Sequence, residues 1–243
     1  MSELTEKRFF RGLSNNKLKI IAMICMAIDH IGLMFFPNMI IWRCIGRISF
    51  PIYAYMIAEG CRYTKNRKKY FGIIAIMALI FQIVYFVFMN GSIYQGILVN
   101  FSLSILAIFA IDTFIRIKSI LVRISMTLSV AALIFIQVGF PILFKEYGFE
   151  IDYGIWGFLI PIAVYFIPKK LWRVIAVAAL LVIRAILSTK SWQWWSLLSI
   201  PLFLLYNEQR GSKKMKYVFY VFYPLHLVII YGVYFLLAFY RYI

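Results

Sequence analysis

The residues of this chain that could do chemistry are few, and they interrupt apolar stretches. Asp29 and His30 are adjacent within the otherwise apolar segment 20–32, and His226, the only other histidine of the sequence, stands in the apolar segment 217–227. Imidazole exchanges protons near neutral pH and is the commonest general acid or base of enzymes. The two histidines therefore indicate proton transfer as candidate chemistry, with interhelical hydrogen bonding as the structural alternative.

Two arginines supply a candidate partner for Asp29. Arg43 and Arg47 are four residues apart, so on a helix they share one face, and the short segment around Pro37 returns the chain near the depth of Asp29. Adjacent helical residues point about 100° apart, so Asp29 and His30 address different neighbours. The cluster is either an ion pair that orients two helices, or a reaction centre in which arginine stabilises an anionic group while His30 moves a proton.

Other polar residues have simpler explanations. Glu59 lies near basic residues, so an ion pair explains it as well as catalysis does, and Asp112 lies four residues from Arg116. Gln82 and Asn100 are neutral, and such residues usually form hydrogen bonds between helices in a membrane. We expect Asp112, Gln82 and Asn100 to be structural.

The composition excludes an ordinary soluble domain. The 243 residues are 64% hydrophobic and 14% charged, with a mean hydropathy of +0.87, whereas soluble domains are about 45–50% apolar and about 25% charged. The net charge of +17 is spread over many short segments, so it predicts no nucleic-acid site. Cys25, Cys44 and Cys61 are far apart and show no metal-ligand spacing, so we expect buried thiols and no metal.

The elements that must position these residues are transmembrane helices. A span takes about 20 mostly apolar residues, and helices satisfy their backbone polar groups internally. The sequence therefore predicts an all-α polytopic bundle, with residues 1–16 as a cytosolic segment and residues 17–243 as a single transmembrane domain. The nine predicted spans are 17–36, 43–61, 69–89, 95–116, 119–140, 151–168, 171–188, 191–206 and 216–240.

The distribution of basic residues predicts the orientation. Twenty of the 26 lysines and arginines fall in the N-terminal stretch 7–19, or in every second connection after the first span and the span ends beside it. Because cytosolic loops carry an excess of Lys and Arg, this pattern predicts a cytosolic N-terminus and an external C-terminus. We expect a multi-pass protein of the cytoplasmic (inner) membrane, in contact with lipids.

Several motifs of the chain resemble the TraX family. They follow one another along nearly the whole sequence, and the Asp29-His30 pair and the segment 223–226 are the most specific among them. The matching segments are 19–22, 26–32, 46–51, 58–60, 152–157 and 222–227.

The resemblance implies acetyl transfer. A named member of that family acetylates the N-terminus of a conjugative pilin, and the family resembles a wider superfamily of membrane acyltransferases that use acyl-CoA. In that superfamily a histidine on an early helix is catalytic, which corresponds to His30. We therefore expect acetyl-CoA as co-substrate and a peptide N-terminus or a glycan hydroxyl as acceptor. The expected catalytic residues are His30, Asp29 and His226, and the expected binding residues are Arg43, Arg47, Glu59, Tyr153 and Tyr223.

Two other classes of function stay open at this point. A secondary transporter or flippase would also place Asp, Arg and His near the membrane midplane, but it would consume no acetyl-CoA. A non-catalytic assembly factor of a conjugation or secretion apparatus would tolerate loss of His30. An acetyl-transfer assay separates all three classes.

Overall fold

The computed structural model describes residues 12–211 and 215–241, whose regular structure is helical apart from isolated bridges. Residues 1–11 of the predicted N-terminal segment, and Lys213 and Lys214, lie outside the described residues. The α-helices are α1 Asn15–Phe35, α2 Ile40–Gly46, α3 Ser49–Tyr63, α4 Arg67–Phe88, α5 Ile97–Arg116, α6 Ile120–Leu143, α7 Gly154–Phe166, α8 Lys170–Leu187, α9 Ser199–Leu205 and α10 Met215–Arg241. Two 3-10 helices cover Lys145–Tyr147 and Ser191–Leu198.

Five of these helices, α1, α4, α5, α6 and α10, are long and apolar enough to cross a membrane. The all-helical class is confirmed, and a multi-pass membrane protein follows from the several spanning helices. Every predicted span contains helix, with ends that differ by a few residues. The number of nine spans and the cytosolic N-terminus stay predictions.

Two predicted spans are divided. The span 43–61 separates into α2 and α3 around Arg47, and the span 191–206 is a 3-10 helix followed by the short α9. Pro51 has no N–H, so the carbonyl of Arg47 lacks the donor that an α-helix would supply four residues later. In the same turn, the N–H of Ile48 donates to the carbonyl of Ile45 at 3.2 Å, a bond over three residues that is typical of a 3-10 turn. The break leaves Arg43 within α2 and Arg47 at its C-terminal end.

The core of the bundle lies around α3, which packs against α1, α5 and α7. Four of its side chains, Ile52, Ala54, Tyr55 and Ala58, are completely buried. Helix α1 packs in turn against α2, α3 and α10. This arrangement brings the first and last helices of the chain together, and with them the two histidines.

Glycines permit the close packing of α1 against α2. A Cβ atom at Gly46 would lie 2.1 Å from Oδ1 of Asp29, and one at Gly32 would lie 2.0 Å from Cβ of Trp42. Real Cβ atoms do not approach so closely. Only glycine at these positions allows the observed distance between the two helices.

Gly46→Ala should therefore destabilise the protein. The new methyl group must displace Asp29 and the groups bound to it, and overpacking of this kind costs about 1–3 kcal/mol. The measurement is the midpoint of thermal unfolding of the purified protein in detergent. Gly72→Ala in α4 is the matched control, because its Cβ would meet nothing within 4 Å and alanine favours helix by about 1 kcal/mol. Equal midpoints for the two variants would contradict the tight packing.

Candidate functional site

Asp29 is the centre of a buried charge cluster. Arg43 donates from Nη1 to Oδ2 of Asp29 at 2.8 Å, and Arg47 donates from Nη2 to Oδ1 at 3.2 Å and to Oδ2 at 3.0 Å. Both Asp29 and Arg47 are 8% exposed. The pairing predicted from the four-residue spacing is confirmed. The cluster holds two guanidinium groups against one carboxylate, and it borders the cavity described below, whose wall also includes Asp152.

The two histidines are in direct contact. Nε2 of His226 lies 3.4 Å from Nδ1 of His30, and their ring centroids are 5.1 Å apart. His226 also stacks on Phe222, with 4.9 Å between ring centroids, and is buried. The last helix thus brings His226 to His30.

Backbone carbonyls fix the tautomers of both rings. Nδ1 of His30 lies 2.9 Å from the carbonyl oxygen of Met26, and Nδ1 of His226 lies 3.0 Å from that of Phe222. A carbonyl oxygen only accepts, so each Nδ1 carries the proton. Nε2 of neutral His226 then carries no proton and is an acceptor. The Nδ1–H group of His30 is therefore shared between two acceptors, the carbonyl oxygen of Met26 and Nε2 of His226.

The consequence is a free base on His30. With its proton on Nδ1, neutral His30 keeps the lone pair on Nε2, and within the described residues no hydrogen bond occupies that atom. His30 lines a cavity of about 200 Å³, named here the outer cavity, together with Asp29, Arg43 and Arg47. A general base needs this combination of an unprotonated nitrogen and access to a reacting group.

Aromatic rings form most of the remaining wall of the outer cavity. Two of them, Tyr153 and Tyr223, are predicted binding residues. Neither His226 nor Glu59 is among the described residues that line it. His226 contacts His30, which does line this cavity, and Glu59 lies elsewhere. The tyrosines of the wall are Tyr53, Tyr85, Tyr94, Tyr153, Tyr223 and Tyr231.

Tyr153 connects the charge cluster to the aromatic wall. Its ring stacks on Phe50 with 3.6 Å between centroids, and the guanidinium of Arg47 lies 5.6 Å from its centroid. The guanidinium of a second arginine, Arg184, lies 6.0 Å from the centroid of the same ring. Cation–π contacts of this kind hold the ring in place.

The backbone at Tyr153 is held by buried amides. Tyr153 has φ +59°, a left-handed conformation that few non-glycine residues adopt. Asn100 donates from Nδ2 to the carbonyls of Asp152 and Gly154 at 2.7 and 2.9 Å, and Gln137 donates to Oδ1 of Asn100 at 3.0 Å. Asn100 therefore has the structural role predicted for it, because it holds the loop that carries Tyr153.

Tyr94 and Asp152 are residues of the cavity wall that the sequence did not single out. The Tyr94 hydroxyl and the Asp152 carboxylate interact electrostatically. Burial and that carboxylate both raise the pKa of Tyr94 well above its usual range, so it stays a donor. Gln82 holds the backbone of Tyr94 by donating to its carbonyl at 2.6 Å. Asp152 begins the segment 152–157 that resembles the TraX family, whereas no sequence signal marked Tyr94.

Glu59 belongs to a separate network. It accepts from Arg62 at 2.8 Å, from Arg173 at 3.3 Å and from the Tyr206 hydroxyl at 3.0 Å. It lines a second cavity of about 480 Å³, named here the inner cavity, at the end of the bundle where α1 and α10 begin. Lys19 and Arg210 also line the inner cavity.

The remaining charged and thiol groups have structural surroundings. Asp112 accepts from Arg67 and forms a 3.0 Å ion pair with Arg116. The three cysteines are buried free thiols. Across residues 12–211 and 215–241, no group of three or more His, Cys, Asp and Glu side chains is arranged to hold a metal ion.

Comparison with known proteins gives two partial relatives and one family. The probable fimbrial assembly protein FimC, serogroup H1, of Dichelobacter nodosus is 34% identical over 74 residues, which are 28% of this chain and 30% of that protein. The uncharacterized protein RP591 of Rickettsia prowazekii (strain Madrid E) is 50% identical over 38 residues, 16% of this chain and 15% of that protein. The matches thus span less than a third of either relative.

No solved structure shows a significant match. The family model described as TraX protein matches residues 14–234, which is nearly the whole chain and includes every predicted site residue. The chain belongs to the TraX family.

Proposed function

We propose that this protein is a membrane acyltransferase that moves an acetyl group from acetyl-CoA on the cytosolic side to an amine or hydroxyl acceptor on the outer side. The observation that carries the proposal is the free Nε2 of His30, which belongs to a ring held by Met26 and His226 and lines the outer cavity. A histidine that only joins helices needs no ring at a cavity wall, whereas a general base needs access to the reacting group.

The geometry supports general-base catalysis. The acceptor nitrogen or oxygen attacks the thioester carbonyl, and His30 Nε2 takes the proton that the acceptor loses. A new C–N or C–O bond forms, the C–S bond breaks, and the proton passes from His30 to the leaving thiolate of CoA. Arg43 and Arg47 supply positive potential for the oxyanion that develops between these steps.

The inner cavity is our candidate entrance for acetyl-CoA. On the predicted orientation it faces the cytosol, and Lys19 and Arg210, which line it together with Glu59 and Glu208, are the candidate ligands of the phosphates. Lys19 and His30 are eleven residues apart on α1, a helical distance of about 16 Å. The extended pantetheine arm would follow α1 over this distance to deliver its thioester to His30.

The acceptor that we favour is the N-terminus of a pilus subunit. The partial relative from Dichelobacter nodosus is named as a probable fimbrial assembly protein, and acetylation of a pilin N-terminus is what the TraX resemblance implies. On this proposal the peptide N-terminus enters the outer cavity, which has a volume of about 200 Å³ and a wall rich in tyrosine. A glycan hydroxyl is the alternative acceptor for the same chemistry.

A sided assay tests the proposal. Proteoliposomes are prepared with the protein, a model pilin peptide on one side and acetyl-CoA labelled in its acetyl group on the other. We expect acetylated peptide to form only when acetyl-CoA is on the side that carries the inner cavity. Mass spectrometry of the peptide gives the position of the label, and liposomes without protein are the blank.

The possible results separate the three classes of function. Movement of the intact peptide or of CoA with no acetylated product would replace the proposal by transport. A third result would be neither acetylated product nor transport of peptide, glycan or CoA. If the same protein restores pilus formation in cells, this result would replace acetyl transfer by a non-catalytic role in assembly.

A further inference from the structure

Only a thin partition separates the two cavities. On α3, Tyr53 lines the outer cavity and Met56 lines the inner cavity, and on α10, Tyr223 lines the outer cavity and Tyr220 the inner cavity. Each pair is three residues apart, so the two lining positions on each helix are separated by a helical rise of about 4.5 Å. The cavities share none of the described lining residues.

The rings of Tyr53 and Tyr223 form the side of the partition that borders the outer cavity. Tyr53 and Tyr223 meet edge to face with 6.2 Å between their centroids. Tyr223 is 5% exposed and also contacts His226, with 5.8 Å between ring centroids. A side chain of α3 and a side chain of α10 therefore meet between the inner cavity and the histidines.

We propose that Tyr53 and Tyr223 are the constriction through which the thioester reaches His30, and that their contact limits the size of the transferred acyl group. The inference rests on the proposed function. An acyl-CoA that enters from the inner cavity presents its acyl group first, because this group is the tip of the pantetheine arm. Acetyl is the smallest such tip, whereas a branched acyl group must separate the two rings further.

The ratio of transfer rates for two acyl donors tests the constriction. Isobutyryl-CoA and acetyl-CoA are compared at equal concentration in the sided assay. Removing either ring, by Tyr53→Ala or Tyr223→Ala, should raise the ratio of isobutyryl to acetyl transfer by about tenfold, the effect that small changes of apolar volume have on selectivity. The ratio comes from one preparation, so a reduced folded fraction cancels.

Two controls separate a steric role from general damage. Tyr53→Phe keeps the ring and should keep the ratio of the wild-type protein. Tyr147→Ala removes an exposed tyrosine of the outer 3-10 helix and should change neither the ratio nor the rate. Acetyl transfer with the same ratio in the wild-type protein and in both alanine variants at positions 53 and 223 would overturn the constriction and leave the proposed function standing.

A second measurement needs no activity. Ser49 lines the outer cavity only, so Ser49→Cys, in a chain whose three native cysteines are replaced by alanine, reports access to that cavity. A charged, membrane-impermeant thiol reagent applied to inverted membrane vesicles should label this cysteine faster with Tyr223→Ala than with Tyr223 in place. Equal labelling rates would overturn the constriction, and absence of all acyl transfer would refute the proposed function separately.

Discussion

Replacing His30 by alanine is expected to lower acetyl transfer by about 10²- to 10⁴-fold, the usual contribution of a positioned general base. The variant removes Nε2, which is the free base of the outer cavity, while Asp29 keeps both arginine partners. The measurement is the initial rate at saturating acetyl-CoA in proteoliposomes. His30→Gln, which keeps a hydrogen-bonding side chain of similar length, should be equally inactive because an amide does not take up a proton.

The matched control lies on the same helix. Ile24 of α1 is 55% exposed and lines neither cavity, so Ile24→Ala should keep the rate of the wild-type protein. Unfolding midpoints of all three variants show whether the folded fraction is comparable. A His30→Ala protein that is folded and transfers acetyl groups at the wild-type rate would remove His30 from the mechanism.

Replacing Asp29 by alanine is expected to have the largest effect on stability. The carboxylate is the shared partner of Arg43 and Arg47, and its removal leaves two guanidinium groups facing each other in a mostly buried site. Breaking a buried pair on one side costs about 3–5 kcal/mol. The readout is the unfolding midpoint in detergent together with the yield of protein that is not aggregated.

An apolar replacement of the whole cluster separates its two roles. The triple variant Asp29→Leu, Arg43→Leu, Arg47→Met removes the three charges of the cluster together, and such replacements are often neutral or stabilising. We expect it to recover most of the stability that Asp29→Ala loses, but no acetyl transfer, because the oxyanion then meets no positive potential. An active triple variant would show that the cluster only orients the helices.

The sequence predicts those features of the fold and site that depend on short-range rules. Hydropathy places the helices, because a lipid-spanning segment must be apolar over its length. The contact of Asp29 with Arg43 follows from the four-residue spacing of the arginines and a short connection. The sequence also allowed a contact between His30 and His226, since both residues interrupt apolar segments at comparable depth.

Features that depend on the packing of distant segments could not be predicted. Tyr53 and Tyr94 are two of the 17 tyrosines of the sequence, and nothing in their neighbours marks them as residues of the cavity wall. The end of α2 at Gly46 depends on Pro51 and also on how closely Asp29 approaches, which only the structure shows. Glu59 resembled a site residue because its charge is visible in the sequence, whereas its partners Arg173 and Tyr206 lie more than a hundred residues away.

The pairing of Asp29 with arginines of the following helix has a consequence for biogenesis. When α1 leaves the ribosome, its carboxylate has no counter-ion, and a charged residue at the centre of a lone helix costs about 2.5–3.5 kcal/mol on insertion. Arg43 and Arg47 emerge fewer than twenty residues later and neutralise it, while Gly32 and Gly46 let the two segments touch. We therefore expect the first two segments to enter the lipid as a hairpin, with the charge centre assembled before the helix that carries His226 has been translated.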